Sequence, residues 1–115
     1  MNSSRFSLDA TESIAYQGVA TYQNGIIGVG GNMILTSGRL IFNSHKLNFG
    51  QKYLIISLND IHKVSKVWTK ILGIIPVLPN GLNVQKIDGS NYVFAVFNRN
   101  EWIAAINKGL HLSKG

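Results

Sequence analysis

Met33-Ile34-Leu35-Thr36-Ser37-Gly38-Arg39-Leu40-Ile41-Phe42 is the stretch whose reading decides the fold. Two short β-favouring runs, Met33–Thr36 and Arg39–Phe42, flank Ser37-Gly38. Such a two-residue connection, with glycine supplying a positive φ, predicts a tight hairpin. Working outward, the same period-two patterning recurs. Tyr53 to Leu58 reads as a strand with Leu54, Ile56 and Leu58 on one face, and Asn59-Asp60 as a corner. Ile61 to Trp68 reads as a further strand with lysines interleaved. Asp88-Gly89, a strong hairpin signal, joins Gly81–Ile87 to Ser90–Phe97. A two-residue turn there puts Leu82 and Val84 on one face with Val93, Ala95 and Phe97. Upstream, Ile14 to Tyr22 is a first strand, and Gln23 to Asn32, with four glycines, is a flexible loop. Thr69 to Pro79 is an apolar loop.

The last segment changes period. Asn98 suits an N-cap and Glu101 follows three residues on, while Phe97 and Trp102 are spaced as a hydrophobic staple. Trp102, Ile103, Ile106 and Leu110 then share one helical face. The helix is expected to stop near Lys108, because Gly109 suits the position after a helix end. The sum is a mainly β chain of about seven strands closed by one C-terminal helix. A helix with one apolar face must bury it, and the open end of a small barrel offers the surface. Residues 1–11 read as a flexible N-terminal segment, 12–110 as the domain and 111–115 as a tail.

The chain has 115 residues, no cysteine, 45% apolar residues and a formal charge of +6. That length fits one compact domain, and the apolar content excludes wholesale disorder. Disulfides and thiolate metal sites are excluded. Charged residues are 14%, against roughly 25% in an ordinary domain, so glycine and asparagine supply much of the surface. Eleven Lys and Arg against five Asp and Glu favour acidic partners. The most apolar window, Ile71 to Leu78, contains a proline and falls far short of the ~20 residues of a spanning helix. No secretory h-region or lipidation motif is evident at the N-terminus. The expectation is a cytoplasmic protein, peripheral at most at the inner face of a membrane.

Gly31-Asn32-Met33-Ile34-Leu35-Thr36-Ser37-Gly38-Arg39-Leu40-Ile41-Phe42 resembles the core of GRAM domains, members of the pleckstrin-homology-like superfamily. Further pieces fit in order: Glu12 with Tyr16-Gln17-Gly18; Ser44-His45-Lys46-Leu47-Asn48; Leu72-Gly73-Ile74-Ile75-Pro76 with Asn80-Gly81-Leu82; and Asn98-Arg99-Asn100-Glu101-Trp102-Ile103. The last three are similar to bacterial GRAM-type sequences, here as a single-domain member. The resemblance covers roughly residues 10–110. It implies a partly open seven-stranded β-barrel, or orthogonal sandwich, capped by the C-terminal helix. It also implies a non-catalytic module that binds lipid headgroups, membranes or other proteins. Thr36, Arg39, His45 and Trp102 are the residues it marks as structural, with His45 stabilising its own loop.

Three surfaces compete as sites. The glycine-rich stretch after the first strand carries no Lys or Arg, so a phosphoinositide site of the pleckstrin-homology type is not expected there. His62, Lys63, Lys66 and Lys70 run into Ile71, Leu72, Ile74 and Ile75. Cations beside an apolar loop suit an anionic membrane surface, at ~1 kcal/mol per charge. The plainer alternative is solvated lysines and a loop folded over the barrel end. Lys63 and Lys66 differ in parity, which puts them on opposite faces of a regular strand. Ser90 to Phe97 is apolar on both faces, so one face meets the helix or a second copy, making a homo-oligomer a candidate.

Catalysis has little to use. The carboxylates sit at turns, a cap and the chain start, and His45, His62 and His111 have no ligand spacing. No enzyme activity, metal or cofactor is expected. The partner is a protein or, weakly, an anionic membrane. A single-stranded nucleic-acid binder or a small enzyme on the same barrel is the alternative, with nucleic acid ranked below because Arg39, Lys46 and Lys52 are dispersed.

Overall fold

The computed structural model describes residues 8–24, 27–44, 53–71 and 75–114, with backbone alone for residues 24, 27, 69–71, 75–79, 113 and 114. Seven strands are followed by one helix: β1 Ile14–Asn24, β2 Ile27–Thr36, β3 Arg39–Ser44, β4 Tyr53–Ser57, β5 Ile61–Ile71, β6 Ile75–Lys86, β7 Asn91–Val96 and α1 Arg99–Lys114. All strand pairs are antiparallel, in the order β4-β3-β2-β1-β7-β6-β5. The mainly β, PH-like class with a C-terminal helix is therefore observed, with a sheet that does not close: β4 and β5 are its two edges. A 3-10 turn, Leu58–Asp60, links these edge strands, so the expected strand end at Leu58 falls at Ser57 instead.

The core lies on the inner face of the curled sheet. Met33, Leu35, Leu40, Ile56, Leu82, Val84 and Phe94 are each at most 2% exposed. The helix closes this core with Trp102, Ile106 and Leu110, all buried, and packs against β5, β6, β1 and the 3-10 turn. Trp102 meets Tyr16 of β1 edge-on, with ring centroids 4.6 Å apart, a favoured quadrupole arrangement.

Several local expectations are corrected. The glycine-rich stretch is strand, not loop: β1 runs on to Asn24 and β2 starts at Ile27, pairing through Gln23↔Gly28 and Thr21↔Gly30. Gly31 is required by close approach, since a Cβ there would stand 2.3 Å from the Asn43 carbonyl oxygen. The turn at Ser37-Gly38 needs no positive φ. The Thr36 hydroxyl closes it by accepting the Gly38 and Arg39 amides at 3.1 and 2.9 Å.

The Asp88-Gly89 hairpin has one residue more in its turn. Gly89 sits at φ 93° and its amide reaches the Lys86 carbonyl, while Lys86 N–H donates to Ser90. This shifts the register by one, and side-chain faces follow parity. Leu82 pairs with Phe94 and Val84 with Tyr92, while Val93, Ala95 and Phe97 share the outer face. The helix continues through Gly109 to Lys114. Gly109 is where the Leu58 side chain comes close, 3.2 Å from a would-be Cβ, so this glycine serves packing rather than termination. Asn98 takes φ 56° rather than the extended conformation of an N-cap. Phe97 is 74% exposed, so it does not staple onto Trp102.

Candidate functional site

Two of the exposed lysines, Lys63 and Lys66, lie on the edge strand β5, and Lys108 lies on α1. β5 starts at Ile61, whose buried side chain anchors it, and among the described residues it pairs only with β6. His62, Lys63 and Lys66 are exposed. Lys63 lies opposite Gln85 and Lys66 opposite Leu82, so the two lysines sit on opposite faces of one strand. The register skips His62 and Trp68, each of which marks an irregularity of the strand. A bulge at an edge is one means of blocking unwanted pairing, and lysine is another.

β5 and β6 continue as a pair well past the rest of the sheet. β7 covers only Gly81–Gln85 of β6, whereas β5 pairs out to Ile71↔Ile75. From Thr69 outward the hairpin is therefore a two-stranded ribbon, where an irregular apolar loop was expected. Pro76 and Pro79 lie in β6, and proline lacks the N–H a second neighbour would need. Lys70 stands opposite Pro76 in the ribbon, and Ile71 opposite Ile75. The side chains of Lys70, Ile71 and Ile75 lie outside the described residues, as do Leu72 and Ile74 altogether. Trp68, at the base of the ribbon, is 58% exposed. Sequence reasoning passed over Trp68, although its place between lysines and an apolar run was the available signal.

Thr36 and Arg39 lie in another cluster. Arg39 Nε and Nη2 donate to Glu12 Oε2 and Oε1 at 2.9 and 2.7 Å, a bidentate pair. The buried Thr36 hydroxyl also donates to Glu12. Arg39 beside it holds the Glu12 carboxyl down to about 2. The clamp ties the segment before β1 to the β2–β3 hairpin, and it leaves Arg39 charge-compensated. His45 lies outside the described residues. Elsewhere Glu101 accepts the Tyr16 hydroxyl at 2.8 Å, which raises the Tyr16 pKa. Asp88 is lowered by the Ser90 hydroxyl and amide in its own turn. Among the described residues no three His, Cys, Asp or Glu converge as a metal site. No described helix is long and apolar enough to cross a membrane.

The outer face of the sheet carries a depression of about 260 Å³, lined by Val19, Thr21, Gly30 and Ala95, with Phe97 at its rim. Among the described residues that line it, none is charged or titratable.

Comparison with known proteins agrees with this architecture. The model of the GRAM domain family matches residues 2–111. Among solved structures, the C-terminal domain of an unknown protein from Leishmania infantum superposes with a TM-score of 0.69 at 15% identity, covering 88% of this chain and 86% of that one. The Vps36 N-terminal PH domain gives 0.65 at 17% identity, covering 91% and 86%. The N-terminal PH domain of human ARAP2 gives 0.62 at 16% identity, covering 85% and 80%. At these identities the likeness is one of fold. No curated protein sequence matches.

Proposed function

We propose that this chain, which belongs to the GRAM domain family, is a non-catalytic interaction module that attaches weakly to an anionic membrane surface through the β5–β6 hairpin. The observation that carries this reading is the run of exposed His62, Lys63 and Lys66 along β5, leading into an apolar ribbon that leaves the sheet. Cations meet phosphate and carboxylate headgroups, each contributing ~1 kcal/mol near an anionic leaflet. In the sequence, Lys70 and the apolar Ile71, Leu72, Ile74 and Ile75 follow directly, residue types of the kind that suit the headgroup and acyl boundary. Trp68 adds an aromatic ring of the type that favours the interface.

The first hairpin is a poor phosphoinositide site. Asn24 and Ile27 bracket only Gly25 and Ile26, without a cation. Attachment is therefore by charge density rather than headgroup stereochemistry, and salt weakens it. Co-sedimentation with vesicles of phosphatidylcholine alone, or containing phosphatidylserine, tests this across salt. Pelleting that requires phosphatidylserine and fades with added salt is expected. Absence of pelleting at low salt overturns the membrane reading and leaves a protein partner as the role.

A further inference from the structure

We propose that the outer edge of β5, from His62 to Lys66, takes an extended acidic segment of another protein as an added strand. This uses backbone groups rather than the ribbon tip, and it does not depend on the membrane reading. Among the described residues, β5 is the terminal strand of an open sheet. Its inner side pairs with β6 without interruption from Lys63↔Gln85 to Val67↔Gly81. In an antiparallel ladder alternate residues turn their N–H and C=O groups away from the partner, so an edge presents a row of unused donors and acceptors. A strand of about five residues, roughly 17 Å, matches this segment. Toward the ribbon the regular β5–β6 pairing ends at Val67↔Gly81, whose carbonyls both accept from Arg99 Nη1, at 3.1 and 3.3 Å.

Charge selects the occupant. Two copies of β5 would bring their lysines together along one seam, which disfavours self-pairing. The chain carries only five acidic residues, and no two are adjacent. Of these, Glu12, Asp88 and Glu101 are engaged by Arg39, Ser90 and Tyr16. This chain therefore contains no acidic strand to donate. Lys63 and Lys66 point to opposite faces, so an added strand meets a cation on each. Its own side chains alternate as well, and consecutive acids satisfy both lysines where alternating acids satisfy one. The recognised feature is thus a run of adjacent Asp or Glu in an extended segment, held by main-chain bonds and read by charge.

The test is lipid-free. A fluorescein-labelled peptide, Val-Glu-Asp-Val-Glu-Asp-Val, is titrated with the full chain and followed by anisotropy. A second peptide carries N-methyl groups on alternate amides and keeps the same charge. The proposal expects at least tenfold weaker binding of the methylated peptide, and at least tenfold weaker binding of the parent to Lys63→Glu/Lys66→Glu. It also expects slowed hydrogen exchange of amides between His62 and Lys66 when the parent peptide is bound. Val64→Pro, which removes an amide turned away from β6, is informative only if it folds; the peptide pair needs no altered protein. Equal binding of the two peptides overturns the proposal in favour of a diffuse charge contact. Binding of phosphatidylserine vesicles without binding of either peptide also overturns it, while leaving the membrane reading intact.

Discussion

Gly31→Ala against Gly30→Ala tests the sheet register with adjacent residues. An added Cβ at Gly31 stands 2.3 Å from the Asn43 carbonyl oxygen and 2.8 Å from Phe42 Cζ. Ordinary contact is ~3.5 Å, so β3 must withdraw by about 1 Å. That opens the end of the β2–β3 ladder, where Gly31 pairs with Ser44 and Asn32 with Asn43. Two ladder hydrogen bonds contribute about 2 kcal/mol. Phe42 must also turn away from Tyr22 and Phe94, whose rings lie 5.9 and 5.7 Å from it, for about 1 kcal/mol more. Alanine recovers roughly 0.5–1 kcal/mol through a less flexible unfolded chain. The net cost is about 2–3 kcal/mol, on the order of 10 °C in Tm for a domain of this size. At Gly30 an added methyl meets nothing within 4 Å, and the backbone has no positive φ, so alanine there should be neutral or stabilise by up to about 1 kcal/mol. Urea unfolding followed by circular dichroism reads both, with unchanged m. If the two variants share one midpoint, β3 does not approach β2 at Gly31 and the assigned pairing is wrong.

Three further outcomes follow from the same geometry. The Glu12 carboxyl titrates at about 2 when folded, below its ordinary 4.5. A lowered folded value gives stability that is complete above 4.5 and is lost as pH falls from there toward 2. The full shift corresponds to roughly 3 kcal/mol, reduced to about 1–2 kcal/mol by screening at a clamp whose arginine is 25% exposed. Glu12→Gln should lower the urea midpoint at pH 7 and flatten its decline between pH 4.5 and 2; an unchanged pH profile would refute the clamp. Trp102→Ala should cost about 3–5 kcal/mol in urea unfolding, whereas Phe97→Ala should fall within about 0.5 kcal/mol of the parent; equal losses would restore the staple. Lys63→Gln with Lys66→Gln should weaken phosphatidylserine-vesicle binding about 30-fold, from about 2 kcal/mol, without altering thermal unfolding. Undiminished pelleting would move the contact off β5.

What was legible in the residues was local. Alternation exposes the strands because burial on one sheet face repeats every second residue. Trp102, Ile106 and Leu110 fall four apart, and all three are buried against the sheet. What was not legible depended on distance or on one backbone angle. The glycines at 28, 30 and 31 look like a loop by composition, yet the small size of Gly28 and Gly31 lets β2 lie between β1 and β3. The Asp88-Gly89 hairpin was visible, but its register turned on whether Gly89 occupied a turn or a bulge. The positive φ there decides it, and composition does not. Glu12 and Arg39 are 27 residues apart, so only the folded hairpin makes them partners. The row of cations could be read in full, but not that it would lie on an unpaired edge.

On the proposed reading, that edge is what lets a chain so poor in charge attract an acidic partner. The outer face of the central strands is neutral: Thr21, Gln23, Gly28, Gly30, Asn83 and Ala95 lie there between the strand ends. Arg39 in β3 is offset by Glu12, and β1, β2, β4 and β7 contain no lysine or arginine. Within the strands, uncompensated positive charge is thus concentrated on β5, with Lys86 at the end of β6 beside it. A neutral expanse next to one basic edge gives an approaching anion a direction as well as an attraction, since field from a few clustered charges is not cancelled by neighbours of opposite sign. Spreading the same cations over the sheet would leave the net charge intact and remove that direction. Moving Lys63 and Lys66 to Thr21 and Gln23 therefore separates the two ideas: an unchanged net charge with lost partner binding implicates the edge, and retained binding implicates charge alone.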